Sequence, residues 1–286
     1  MSIAAVQSAL PSGLASTVKL GTSGVAIPIL GFGVFENDDC TPACTTALQL
    51  GYRHIDTARY YENEAGVGKA VRDSGIPRES VFITSKIYHP DFGYDSAREA
   101  VQDSFDNLAC GPFDLYLIHS PLSGRDKRLE TYRALLDARK DGLVRAVGVS
   151  NYGVKHLEEI KAAGYEMPAV NQVELHPFCQ QRPIVEYCNA NGIVVEAYSP
   201  LAQGKKMDDP VLAEVARETG KTIAQVLIRW SLQHGFIPLP KSATPARIAQ
   251  NADIFDFALD GPQMAKLDAL DRGKEGSVTW NPVDAE

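Results

Sequence analysis

Apolar positions along this chain fall into two rhythms. Eight short runs are apolar almost throughout, at residues 30–33, 53–55, 81–85, 115–118, 144–149, 169–172, 194–197 and 236–239. Runs of that length, rich in branched residues and apolar on both faces, predict buried parallel strands. Between them the apolar positions recur at a helical period. Ala97, Ala100, Val101, Phe105 and Leu108 share one face of a helix over 95–109. Leu129, Tyr132, Leu135 and Leu136 do the same in the next helix, and Gly142 is placed to end it. Residues 211–219 and 223–233 read as two more helices parted by Gly220. A hairpin precedes the series, with 17–20 and 25–28 flanking the turn-rich segment 21–24. Eight strands alternating with helices predict an α/β fold, a (β/α)8 TIM barrel. No linker, low-complexity stretch or sequence repeat interrupts it. The expectation is therefore one barrel domain over 1–286, with 1–17 a flexible arm and 272–286 a C-terminal tail over the barrel mouth.

Composition narrows the function without changing the fold. The 286 residues are 44% hydrophobic and 22% charged, an ordinary globular balance. A net charge of −8, with no basic run, argues against a nucleic-acid partner. An anionic ligand would need a local cluster of cations. No apolar run approaches the roughly 18 residues of a membrane span, so no membrane partner is expected. The first eighteen residues hold no Lys or Arg, unlike a secretory signal. Five cysteines, Cys40, Cys44, Cys110, Cys179 and Cys188, are an odd number without a CxxC pair. They read as reduced thiols of a cytoplasmic protein. Cys40 and Cys44 are four residues apart, but no clustered histidine completes a metal site, so no metal is expected.

Four ionisable groups stand out against this background. Asp56, Lys86 and His119 each close a short apolar run, and Tyr61 follows Asp56 by five residues. Parallel barrels present catalytic groups at the C-terminal ends of their strands. An ammonium beside a phenol favours the phenolate, so Lys86 is expected to lower the pKa of Tyr61 and make it a better proton donor. Taken singly, each has an ordinary structural reading. Asp56 could cap a helix, Tyr61 could pack, Lys86 could be a solvated charge and His119 a hydrogen-bonded core residue.

The motifs GYRHIDTARYYENE (51–64), FITSK (82–86), DLYLIH (114–119), GVSNY (148–152), NQVELHPF (171–178), AYSPL (197–201) and IPLPKSATPARIAQN (237–251) occur in one order. In that order they resemble the aldo-keto reductases, from about Lys19 to Asn251, and the style is closest to the microbial diketogluconate-reductase-like branch. The resemblance implies a (β/α)8 barrel that binds NADP(H) without a Rossmann domain and reduces a small-molecule carbonyl substrate, as a monomer. It makes Tyr61 the general acid, Lys86 its acidifying neighbour, Asp56 the partner of Lys86 and His119 the group that orients the carbonyl. It implies that Ser150, Asn151 and Gln172 hold the nicotinamide carboxamide and that Tyr198 stacks on its ring, with Ser199 and Leu201 beside it. Lys241, Ser242, Thr244 and Arg247 would hold the 2′-phosphate, the two cations supplying the local positive charge. Gln250 and Asn251 would reach the adenine. Phe35, Tyr88, Ser120 and Trp280 would line the substrate pocket.

The chain departs from the family pattern at Gln250, usually Glu, at Ser120, often Trp, at Val34, commonly Thr, and at 202–204. These changes bear on the substrate and leave the four catalytic candidates intact. The glycines of Gly31-Phe32-Gly33 lack the third glycine of a dinucleotide fingerprint, so a Rossmann reading is rejected. Two rival functions remain at this point. One is an NADP(H)-binding regulatory module with little turnover. The other is a barrel isomerase or aldolase using Lys86 as a Schiff-base nucleophile.

Overall fold

The computed structural model describes residues 13–286. The expected arm at 1–17 falls mostly outside the described residues. Its last residue, Thr17, opens a hairpin of β1 (Thr17–Lys19) and β2 (Ala26–Pro28), paired antiparallel with Thr17 opposite Pro28. Eight parallel strands follow: β3 (Phe32–Gly33), β4 (His54–Asp56), β5 (Phe82–Ile87), β6 (Phe113–Ile118), β7 (Val144–Ser150), β8 (Val170–Glu174), β9 (Val194–Tyr198) and β10 (Ile237–Pro238). Each pairs in parallel with the next. Helices α1 (Thr41–Gln49), α2 (Glu64–Asp73), α3 (Tyr94–Leu108), α4 (Arg125–Lys140), α5 (Val154–Ala162), α6 (Arg182–Ala190), α7 (Pro210–Thr219), α8 (Ile223–Gln233), α9 (Pro245–Ala252) and α10 (Gly261–Asp268) complete the α/β alternation.

The ring closes between its first and last strands. Gly31 N–H donates to Pro238 O at 3.0 Å and Gly33 N–H to Pro240 O at 3.1 Å. Pro238 and Pro240 have no N–H of their own, which is why β10 is two residues long where the sequence suggested four. A Cβ at Gly31 would stand 2.4 Å from Leu239 Cδ2 and 2.8 Å from His54 Nδ1. The glycine at 31 thus lets the barrel seam close.

Alternation along the strands sorts side chains between two environments. Ile83, Tyr116 and Ile118 join the large core between sheet and helices. Phe82, Leu115, Leu117, Ala146 and Val170 point into the barrel, where Leu20, Val25 and Ile27 of the hairpin meet them. The hairpin therefore plugs one end of the ring. Higher in the interior the residues turn polar: His54, Asp56, Thr84, Lys86, Gln172 and Glu196 are all buried. Strands expected to be apolar on both faces thus carry a polar layer inside. The helices match their periodicities, though Phe105, Leu129 and Leu136 are only partly buried. Gly142 takes φ 80 just after the α4 cap. Gly220 takes φ 67 as the α7 cap. Thr222 then opens α8 with a reciprocal cap to Gln225.

Candidate active site

Strand period and a pinned loop bring the four candidates together. Asp56 ends β4 with its side chain inside the barrel. Lys86 lies two positions beyond Thr84 on the interior face of β5. Tyr61 closes a short 3-10 turn, Arg59–Tyr61, in which its N–H donates to Ala58 O at 2.9 Å. Asn63 fixes that loop. Its Nδ2 donates to Val34 O and Asn37 O, both at 3.0 Å, and its Oδ1 accepts from Thr57 Oγ1 at 2.6 Å.

Lys86 Nζ uses its three protons on three acceptors: Asp56 Oδ1 at 2.6 Å, Thr57 O at 2.8 Å and Tyr61 Oη at 3.4 Å. It is 1% exposed. Burial opposes its charge, but Asp56 and Tyr61 outweigh burial and hold its pKa above the usual lysine value, so the ammonium persists. The expected acidification of Tyr61 does not prevail. Burial raises its pKa, Lys86 lowers it, Asp56 raises it, and the balance lies above 10. Tyr61 is therefore a phenol at neutral pH. Lys86 offsets the desolvation of the phenolate without reversing it.

His119 follows β6 with its N–H bonded to Ile87 O at 3.0 Å. Its ring lies 5.7 Å from that of Tyr61, centre to centre. Burial, then Lys86 and His89, drive its pKa well below 6.5, so the imidazole is neutral. Its Nδ1 is buried without a partner among the described residues. The wall around it is aromatic. Phe35 lies 5.0 Å from Tyr61, Tyr60 lies 4.3 Å from Tyr88, and Tyr88 lies 5.8 Å from His119. Phe35, Tyr60 and Trp280 are among the exposed large apolar side chains. Ser120, expected in the pocket lining, is fully buried and adds no exposed surface to it. Tyr60 was not foreseen as a wall residue. Its adjacency to Tyr61 was visible, but its orientation was not.

Ser150, Asn151, Gln172 and Tyr198 also converge, largely on one another. Ser150 Oγ donates to Gln172 O at 2.8 Å. Asn151, at φ 61, donates from Nδ2 to His119 O at 3.1 Å and accepts from Tyr198 Oη at 2.8 Å. Gln172 Nε2 donates to Asp56 Oδ2 and Glu196 Oε2, both at 2.8 Å. This alters the sequence reading of Gln172, since its amide protons are bound to two carboxyl groups and only its oxygen is left for a ligand. Ser199, at φ 48, and Leu201 are half-buried beside Tyr198.

Lys241, Thr244, Arg247 and Gln250 are exposed around α9, while Ser242 and Asn251 are buried. Ser242 Oγ accepts from Thr244 N–H at 3.1 Å, which shapes the turn into the helix. Tyr52 Oη donates to Ile248 O at 3.2 Å and ties α9 to the barrel.

The tail crosses the same face. Glu174, at the end of β8, accepts from His176 Nε2 at 2.9 Å, Ser277 Oγ at 2.5 Å, Val278 N–H at 2.6 Å and the Thr279 hydroxyl. These donors outweigh burial and hold its carboxyl down at about 2. Tyr198 Oη lies 3.3 Å from Trp280 O, and Lys205 Nζ donates to Val278 O at 2.8 Å. Glu174 was missed as a tail anchor because nothing local in the sequence links it to residues a hundred positions away.

Comparison with known proteins bears on the family and the fold. The family described as "Aldo/keto reductase family" matches residues 18–272. Glyoxal reductase of Bacillus subtilis (strain 168) is 46% identical over 276 residues, 96% of this chain and 98% of that protein. Methylglyoxal reductase DkgA of Escherichia coli (strain K12) is 41% identical over 263 residues, 91% of this chain and 94% of that protein. Among solved structures, the aldo-keto reductase MGS-M4 from a Medee basin deep-sea metagenome library superposes with TM-score 0.90 at 41% identity, covering 95% of this chain and 99% of that one. A mutant of Gox0644 in complex with NADPH superposes with TM-score 0.88 at 38% identity, covering 95% and 98%.

Proposed function

The chain belongs to the aldo/keto reductase family, and on that premise we propose that it is an NADPH-dependent reductase of small aldehydes and ketones. The observation that carries the reading is the Lys86 ammonium shared between Asp56 and Tyr61, with neutral His119 facing the same phenol. The donor set fits the cofactor. Two exposed cations, Lys241 and Arg247, stand at the start of α9 in a chain of net charge −8. A forked guanidinium and an ammonium suit a phosphate dianion. NADPH, when bound, supplies the hydride for the carbonyl carbon.

The remaining chemistry belongs to the protein. Neutral His119 orients the carbonyl oxygen. Tyr61 donates its phenolic proton to that oxygen as negative charge develops there. The product is the alcohol, and Tyr61 is left as a phenolate that regains its proton from solvent. Lys86 stabilises that phenolate, and Asp56 with Thr57 O keeps the ammonium in place. The gain is specific to the transition state, because the charge met by Lys86 exists only once the proton has moved. The aromatic wall of Phe35, Tyr60 and Tyr88 surrounds the reacting end. The relatives named for glyoxal and methylglyoxal support small α-oxoaldehydes as first substrates. The same ammonium contacts disfavour a Schiff-base role for Lys86, which requires a free amine.

The test is NADPH oxidation with glyoxal, methylglyoxal, α-keto esters, diketones and sugars, with NADH in parallel. Turnover with NADPH on the α-oxoaldehydes is expected. Tight NADPH binding without turnover on any of them would favour the regulatory reading.

A further inference from the structure

Glu196 is a buried acid to which the mechanism gives no task. Glu196, on β9, is fully buried two positions before Tyr198, and its Oε2 accepts from the same Gln172 nitrogen that donates to Asp56. One amide group therefore joins two carboxyls, and their environments differ. Asp56 accepts from Lys86 and Gln172. Glu196 accepts only from Gln172, and its Oε1 has no partner among the described residues. The His54 Nε2 atom lies 3.6 Å from that oxygen, too far for a hydrogen bond, and is instead 3.0 Å from Thr84 Oγ1. An ionised carboxyl offers about four acceptor sites. With one donor and no water-facing surface, Glu196 is far better accommodated as the neutral acid.

We propose that Glu196 is a positioning residue for the reductase reaction. As the neutral acid it holds Gln172 against Asp56 and keeps a second negative charge away from the Asp56–Lys86–Tyr61 cluster. The proposal rests on the reductase reading above. Burial first, and Asp56 second, push the Glu196 carboxyl up to about 8. The groups facing it are Asp56 and His54 from β4, Lys86 from β5 and Gln172 from β8; its register partner on β10 is the apolar Ile237. His54 is driven down to about 3 by burial, so it is neutral throughout the working range.

The sign of the effect follows. Below about 8 Glu196 is neutral, and the phenolate formed at Tyr61 feels the attraction of Lys86 more strongly than the repulsion of the single carboxylate Asp56. Above it the added carboxylate opposes that phenolate. Reduction should therefore slow as pH rises through this value, by about tenfold per unit for a rate that follows one protonated group.

The experiment is the pH dependence of kcat for NADPH-driven reduction, wild type against Glu196→Gln. The wild type is expected to lose rate above about pH 8, and the amide variant, which cannot ionise, to lose that limb. A variant limb superimposable on the wild-type one overturns the proposal. Should the variant not fold, a pH-difference infrared spectrum of the wild type decides. A protonated-carboxyl band that disappears through the same range supports the assignment, and its absence overturns it. The two readings fail differently. A wild type that turns over but shows no alkaline limb overturns the role of Glu196 alone. A wild type that reduces no carbonyl overturns the reductase reading and the kinetic role of Glu196 with it.

Discussion

At the scale of single residues, the site depends on which buried charges find partners. Lys86 keeps its charge in the interior only because Asp56, Thr57 O and Tyr61 surround it. Replacing Lys86 with Met would leave the buried Asp56 carboxyl with Gln172 as its remaining side-chain donor. Breaking a buried pair in this way costs about 3–5 kcal/mol, so Lys86→Met should lower the urea midpoint markedly as well as abolish turnover. His119 is neutral well below 6.5, so kcat/KM should show no break near 6.5. A break there would mean an imidazolium is involved. Asp56, Tyr61, Lys86 and His119 were legible because each sits in a distinctive motif. The pKa of Tyr61 was not, because its sign depends on burial, and motif spacing gives no measure of burial. Glu196 escaped for a related reason. It looks like any charge in an apolar run until the barrel places it across Gln172 from Asp56.

At the scale of elements, alternation explains most of the placement. Positions 82, 84 and 86 of β5 share the interior face, as do 54 and 56 of β4, and this sets Lys86 beside Asp56. All eight strands were visible as apolar runs, with ends wrong by up to two residues where prolines or strand registers decided them. What periodicity could not show was the docking of the tail on Glu174. That contact has a definite pH dependence. The Glu174 pKa is depressed from 4.5 to about 2, so its contribution is complete above 4.5 and fades as pH falls towards about 2. Glu174→Ala should release Ser277–Trp280 at neutral pH. The expected readout is faster proteolysis in the tail and a raised KM for substrate with a smaller change in kcat. Unchanged cleavage would show that other contacts hold the tail.

At the scale of the whole molecule, closure of the ring holds the polar layer in register. The hairpin seals one end with Leu20 and Ile27, and the seam between β3 and β10 runs through Gly31 and Gly33. The barrel class was readable from eight alternations. The seam was not, since it joins segments two hundred residues apart. Gly31→Ala would press a methyl group on Leu239 and His54, and overpacking of this kind costs about 1–3 kcal/mol. A lower urea midpoint with an unchanged slope is the expected outcome, and equal stability would mean the seam relaxes freely. The whole fold thus converges on one bond, the Tyr61 hydroxyl beside a buried ammonium. Its most direct test is Tyr61→Phe, assayed by NADPH oxidation with methylglyoxal and, separately, by NADPH binding through fluorescence. Loss of about 10²–10⁴-fold in turnover with NADPH affinity retained is the predicted result. A variant that reduces methylglyoxal at the wild-type rate would contradict the assignment of Tyr61 as the proton donor.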